Sequence, residues 1–190
     1  MAEKRPLFAQ QVKEQHHKQE VEVWFQDEAR IGQQGTLTRL RATRGSQPTA
    51  VRQTEYEWVH LFASINAQTG ESAALVSPAV NTAYMNAHLD HISRQVGRDR
   101  HATLVLDCAG WHMAKALKVP ANITLFHLPP YSPELNAAER VWAYLRQHYL
   151  SNRIFRDYDE LFDQTISAWN RLSQERLRSP CATCWVKRMN

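Results

Sequence analysis

Three acidic residues stand where the elements of a sheet would present them to a ligand. Asp27 lies in VEVWFQDEA, Asp107 in LVLDCAGWH and Glu139 in SPELNAAERVW. Apolar residues lead up to each aspartate, which predicts two strands that end in a carboxylate. Because ligands gather at the carboxyl ends of strands in open α/β sheets, we expect the two aspartates to converge if their strands are neighbours. Glu139 lies near the start of a helix after the next strand and could reach the same edge.

Carboxylates gathered at one point indicate a cation. Three acids in close proximity repel one another unless positive charge lies between them. Hard oxygen ligands of this kind suit Mg²⁺ or Mn²⁺, which typically bind few carboxylates together with waters and substrate phosphates. We therefore take Asp27, Asp107 and Glu139 as candidate catalytic residues and metal ligands.

Each acid also has a purely structural interpretation. Asn136 and Glu139 have the spacing of a helix capping box, and on spacing alone a cap is the better explanation of Glu139. A single aspartate at a strand end is commonly a turn residue. Two further acids are rivals: Glu28 would point to the face opposite Asp27, and Glu134 lies in a proline-bounded loop, so we expect both in solvent.

The elements that position these residues follow from hydrophobic periodicity. Alternating residues predict a first strand around Asp27, and TLTRLRATRG, WVHLFASINAQTG and SAALVSP predict further strands of an antiparallel meander. A period of three to four after Asn81, a capping residue, predicts a helix to Val96. HATLVLDCA and NITLFHLP have the two-sided apolar pattern of covered inner strands. Helices are then predicted from Asn136 to about Leu150 and over 158–172, so the fold class is α/β with helices covering a mixed sheet.

Composition limits the class of protein. With 190 residues, of which 43% are hydrophobic, the chain has the size of one domain. No apolar run has the length of a membrane span, so we expect a cytoplasmic protein without a membrane partner. A net charge of +4 permits a polyanionic partner. Cys181 and Cys184 have zinc-like spacing, but a structural site needs four ligands and no second pair exists.

The three acidic motifs together resemble those of the DDE-type transposases of bacterial insertion sequences in the mariner superfamily. The matching segments are WFQDEARIG, LVLDCAGWH and LPPYSPELNAAERVWAYLR, and RATRG is similar to a further family segment. The resemblance implies a ribonuclease H-like fold with a mixed five-stranded sheet flanked by helices. It divides the chain into a polar lead-in or linker remnant at 1–20, a catalytic domain at 21–175 and a C-terminal tail at 176–190. Cys108 and Ala137 depart from the family pattern.

The resemblance implies a reaction as well. Two Mg²⁺ ions, with Mn²⁺ as a substitute, would lie about 3.5–4 Å apart. Asp27 would bridge both ions, while Asp107 and Glu139 would each bind one. Water would cleave a DNA strand to free a 3′-hydroxyl, which would then attack target DNA. Two alternatives remain: a ribonuclease H-like nuclease without joining activity, and a decayed domain that only binds DNA or a protein partner.

The partner implied by the resemblance is double-stranded DNA, as transposon ends and as target. Candidate DNA contacts are His112 after the second acid and four arginines: Arg41, Arg44, Arg140 and Arg146. The resemblance further implies a homodimer in the bacterial cytosol or nucleoid. Twenty polar residues before Val21 are too few for the family's helix-turn-helix DNA-binding module, which we expect to be separate or missing.

Overall fold

The fold is a five-stranded sheet with helices on both faces, seen in a computed structural model that describes residues 11–34, 42–46, 49, 53–130 and 132–181. The strands are β1 (Glu20–Gly32), β2 (Trp58–Asn66), β3 (Ser72–Ser77), β4 (Arg100–Leu106) and β5 (Ile123–His127). The helices are α1 (Thr82–Val96), α2 (Ala138–Leu145), α3 (Tyr158–Asn170) and α4 (Gln174–Cys181). A 3-10 turn (Pro133–Leu135) precedes α2, and a π-helical turn (Arg146–Leu150) follows it.

The sheet is mixed, as the sequence predicts. Its strand order is β3-β2-β1-β4-β5. The first three strands pair antiparallel, whereas β4 lies parallel to both β1 and β5. β1 is the central strand and β4 is its parallel neighbour, so the two aspartate motifs are on neighbouring strands. This arrangement is the ribonuclease H-like fold.

Strand β1 is longer than predicted. The sequence predicts that it ends at Asp27, but it continues to Gly32. The pairing with β4 runs only to Phe25, opposite Val105, while the pairing with β2 continues past Asp27, which lies opposite Ala63. The backbone of Asp27 lies beyond the last residue paired with β4, so it is held by the antiparallel pairing with β2.

The two sides of the sheet bury different cores. Val23, Phe25 and Val105 face α2, α3 and α4, while Trp24 and Leu104 face α1. Alternation along β1 and β4 decides this division, because successive side chains point to opposite faces. Asn81 caps α1 as predicted, its side chain accepting a hydrogen bond from the Tyr84 amide at 3.0 Å.

Several predicted segments either have a different structure or lie outside the residues that the structure describes. The segment TLTRLRATRG spans residues 36–45; of these, 42–45 are not in a strand and 36–41 are outside the described residues. In the lead-in, Val12 is buried and His16 stacks on His101 at 3.6 Å, so 11–16 packs on the domain. The tail predicted from residue 176 begins inside α4, which contributes Leu177 and Cys181 to the core. The domain boundaries themselves stay predictions.

The described part of the chain has no helix that is both long enough and apolar enough to cross a membrane.

Candidate active site

The three predicted acids line one open cleft. The cleft has a volume of about 470 Å³ and lies between β1, the loops after β4 and β5, and the start of α2. Its lining residues are Asp27, Asp107, Cys108, Ala109, Leu128, Pro129, Pro130, Ser132, Asn136 and Glu139. The acids are thus brought together from positions that are far apart in the sequence.

Asp27 is a partly buried carboxyl on the face of β1 that carries the larger core. Its Oδ2 accepts a hydrogen bond from the indole Nε1 of Trp142 on α2 at 2.9 Å. Burial raises the pKa of Asp27 to about 7; the Trp142 hydrogen bond opposes this, and the charges of Glu139 and Glu28 add to it. Without a cation, the cleft therefore disfavours a charge on Asp27, as expected where carboxylates are crowded away from water.

Asp107 follows the last residue of β4 and combines two roles. Its Oδ1 accepts a hydrogen bond from the Ala109 amide at 2.9 Å, which makes the turn that the structural interpretation predicted. The same oxygen is 2.8 Å from Nδ1 of His112. The Asp107 side chain is 58% exposed and lines the cleft, so being a turn residue does not remove it from the site.

His112 lies between two acids. Its Nε2 is 3.0 Å from Oε1 of Glu28, and its side chain is fully buried. Burial alone would lower the pKa of His112, but hydrogen bonds to Glu28 and Asp107 and the charges of both outweigh it and raise the pKa. An imidazolium can donate from both nitrogens, which matches carboxylate oxygens on both sides.

The expectation that Glu28 lies in solvent is wrong. It does point away from Asp27, but its side chain is only 8% exposed. Its Oε1 accepts hydrogen bonds from Gln26 at 2.9 Å and from Trp111 at 3.1 Å in addition to the contact with His112. The bond from Trp111 holds its indole against Glu28. Glu134, in contrast, is exposed as predicted.

The capping-box interpretation of Glu139 is also wrong. The residue at the cap position of α2 is Ala137, which makes no side-chain bond, and Glu139 is exposed. Asn136 is buried and bridges two elements: its Nδ2 donates to the Gln26 carbonyl of β1 at 2.8 Å, and its Oδ1 accepts from the Ala138 amide at 3.2 Å. Glu139 does not cap the helix, and its side chain lines the cleft.

The three predicted arginines that the structure describes do not line the acidic cleft. Arg146 lines a separate small cleft with Arg30, and neither Arg44 nor Arg140 lines the acidic cleft. Arg44 and Arg140 are exposed, whereas Arg41 lies outside the described residues. Among the predicted DNA contacts that the structure describes, His112 directly contacts a site acid.

The donor set of the cleft fits a hard cation in its chemistry. Three carboxylates line it. Burial, together with the charges of Glu139 and Glu28, raises the pKa of Asp27, and a bound cation would favour its charged form. Across the described ranges, no three His, Cys, Asp or Glu side chains are already close enough to hold a metal ion. The three acids therefore line one cleft, but they are not close enough to one another to form a complete set of metal ligands.

Sequence reasoning missed three residues that shape the site. The sequence predicts Glu28 in solvent and Asn136 as a cap, and no local pattern predicts that Trp142 contacts a site acid. A signal for Glu28 was available, because alternation places Gln26 and Glu28 on one face of β1 and both are polar. Nothing local indicates their partners, which are 84 residues away for Glu28 and 115 for the Trp142–Asp27 pair.

Comparison with protein families gives a match over most of the chain. Residues 22–162 match the family described as DDE superfamily endonuclease. An uncharacterized protein of Sinorhizobium fredii, y4pE/y4sA, is 49% identical over 115 residues, which are 60% of this chain and 85% of that protein.

Solved structures with the same fold are nucleoprotein complexes. The Mos1 strand transfer complex matches with a TM-score of 0.63 and 16% identity over 98% of this chain and 57% of that one. The Mos1 mariner paired end complex with Mn matches with a TM-score of 0.65 and 15% identity over 97% and 60%. A simian T-cell lymphotropic virus intasome matches at 0.52 and 14% over 82% and 50%.

These likenesses differ in what they establish. The chain spans 57–60% of the length of the Mos1 chains, and at such low identity those structures show a shared fold. The family match rests on sequence and covers both aspartate motifs and Glu139. The chain therefore belongs to the DDE superfamily endonucleases.

Proposed function

We propose that this chain is the catalytic domain of a DNA transposase, which cleaves a DNA strand and transfers its 3′ end by metal-dependent phosphoryl transfer. The observation that carries the proposal is the cleft lined by Asp27, Asp107 and Glu139 in a DDE superfamily endonuclease. The Mos1 complexes, which include a strand transfer complex and paired end complexes with Mn and with Mg, support the choice of substrate and cation.

The chain's own residues would bind and orient the reacting groups. Asp27, Asp107 and Glu139 would hold Mg²⁺ or Mn²⁺, which when bound would supply positive charge at the attacking and leaving oxygens. Trp142 fixes one oxygen of Asp27, and His112 fixes one oxygen of Asp107.

The DNA backbone would enter the open side of the cleft. The wall formed by Leu128, Pro129 and Pro130 is free of acidic side chains, so a phosphodiester could approach there with less repulsion than over the acids. Cleavage by water and attack by the freed 3′-hydroxyl are both in-line displacements, so the same carboxylates would serve both steps. We propose a dimer on double-stranded DNA, together with a DNA-binding module outside this domain.

The test is nicking of supercoiled plasmid in Mn²⁺ by the wild type and by Asp107→Asn. We expect the substitution to reduce nicking by about 100-fold or more, since a group that organises transition-state charge is lost. Asp163→Asn is the matched control, because Asp163 is exposed on α3 and outside the cleft. Equal nicking by Asp107→Asn and the wild type would contradict the proposal.

A second assay separates transposase from nuclease. A pre-cleaved DNA end with a free 3′-hydroxyl is incubated with the active protein and a target plasmid. Joined product supports strand transfer, whereas nicking without joining favours the ribonuclease H-like nuclease.

A further inference from the structure

Glu28 supports the acidic cleft from the opposite face of β1. We propose that Glu28 is a positioning residue, which acts through His112 to hold the Asp107 carboxylate in the orientation that binds the cation. The proposal rests on the metal-dependent function above, and it assigns a role to an acid that is not itself a ligand.

Glu28 is a buried carboxylate used as a fixed anchor. Three donors converge on its Oε1, from Gln26, Trp111 and His112, at 2.9, 3.1 and 3.0 Å. Its backbone is fixed in β1 opposite Phe62 of β2. Burying an acid with 8% side-chain exposure would be costly without hydrogen-bond partners, and these three donors supply them.

His112 transmits this position to Asp107. The ring is fully buried and contacts a carboxylate at each nitrogen, so its orientation is set from both sides. Its Nδ1 is 2.8 Å from Oδ1 of Asp107, which also accepts from the Ala109 amide at 2.9 Å. Within the described part of the chain, Oδ2 of Asp107 makes no hydrogen bond, so it is the oxygen left for a cation.

Asp107 needs such support because of its place in the fold. It stands one residue beyond β4, and its side chain is 58% exposed, so sheet pairing does not restrict its rotamer. Fixing an exposed carboxylate in advance reduces the entropy lost on cation binding. Partners of metal-binding groups typically change metal affinity by about 10–100-fold when they are mutated.

The experiment measures Mn²⁺ binding to the DNA-free protein, by electron paramagnetic resonance of the free ion. We expect Glu28→Gln, which keeps the shape but loses the charge, to raise the Mn²⁺ dissociation constant about 10-fold. Glu28→Asp keeps the charge, but its shorter side chain no longer reaches His112, so we expect a similar loss of Mn²⁺ affinity. Glu134→Gln, an exposed acid outside the cleft lining, should stay within about twofold of the wild type.

A double-mutant cycle distinguishes positioning from a general effect of charge. Asn at position 112 can donate its amide to Asp107 without contacting Glu28. In the His112→Asn background, Glu28→Gln should therefore leave Mn²⁺ affinity unchanged. Equal losses in both backgrounds would overturn the positioning role, as would wild-type affinity in Glu28→Gln and Glu28→Asp. Circular dichroism of each variant identifies any loss that comes from unfolding.

The outcomes also separate this inference from the proposed function. Suppose that Glu28→Gln weakens Mn²⁺ binding when His112 is present but not in the His112→Asn background. If the wild type then does not nick DNA, the positioning inference stands and the proposed function fails. If the wild type nicks DNA and the Glu28 variants bind Mn²⁺ normally, the function stands and the inference fails. A wild type that binds no Mn²⁺ overturns both.

Discussion

At the scale of single residues, Trp142 links the acidic cleft to the core. Its ring is buried beside Trp169, with ring centres 5.9 Å apart, while its Nε1 donates to Asp27 at 2.9 Å. Trp142→Phe keeps most of the packing and removes the donor. Because that hydrogen bond lowers the pKa of Asp27, we expect the variant to move it from about 7 to a higher value in metal-free protein. The measurement is the ¹³C chemical shift of the Asp27 carboxyl as a function of pH.

Trp169→Phe is the matched control, since it alters the same core without removing a bond to Asp27. It should leave the carboxyl titration of Asp27 unchanged. If both variants shift the titration equally, packing rather than the hydrogen bond controls this acid.

At the scale of elements, Asn136 connects the start of α2 to β1. Its buried side chain donates a hydrogen bond to the Gln26 carbonyl and accepts one from the Ala138 amide. Asn136→Ala leaves both groups without this partner, and we expect the free energy of unfolding to fall by about 1–3 kcal/mol. Urea denaturation measures this, and nicking should fall as well because α2 carries Glu139.

The bond to β1 can be tested apart from the bond at the helix start. Asn136→Asp keeps an acceptor for the Ala138 amide but places a carboxylate against the Gln26 carbonyl, so we expect it to be no more stable than the alanine variant. Asn170→Ala, at an exposed position on α3, serves as the control. Wild-type stability in Asn136→Asp would show that the tether to β1 contributes little.

At the scale of the whole molecule, His88 makes stability depend on pH. It is fully buried in the core between the sheet and α1, with Nε2 2.9 Å from the Ser64 hydroxyl. Burial, with smaller contributions from His91 and His112, lowers its pKa to about 3 from 6.5. The unfolded chain therefore binds a proton that the folded chain does not between those values. We therefore expect the contribution of His88 to leave the free energy of unfolding unchanged above about pH 6.5 and to lower it below that pH, by up to about 1.4 kcal/mol per pH unit.

Urea unfolding at pH 7.5, 6 and 5 tests this for the wild type and His88→Gln. Glutamine keeps a polar group near Ser64 but does not titrate, so its stability should fall less steeply with acid. The difference between the two proteins isolates His88 from the other histidines. Parallel pH profiles would mean that His88 does not control the acid sensitivity.

The sequence by itself determined the five strands, the helices α1 to α3 and the three acids that line the cleft, but it also predicted a strand at TLTRLRATRG that residues 42–45 do not form, and it did not predict α4. The correct predictions rest on local patterns: alternation along β1 and β4, the helical period after Asn81, and the proline-bounded turn before Glu139. It also placed Glu28 on the face opposite Asp27, because a period of two fixes that relation wherever the strand ends. The end of β1 was not predicted, since pairing with β2 rather than the local residues extends it to Gly32.

Only the tertiary structure decided what each side chain of the site contacts. Glu28, Trp142 and Asn136 find their partners across 84, 115 and 110 residues of chain. Arg146, a predicted DNA contact, lies on the continuation of α2 but lines a separate small cleft rather than the acidic one. Hydrogen bonds and burial depend on elements that meet in space, whereas periodicity records only which face of its own element a residue occupies.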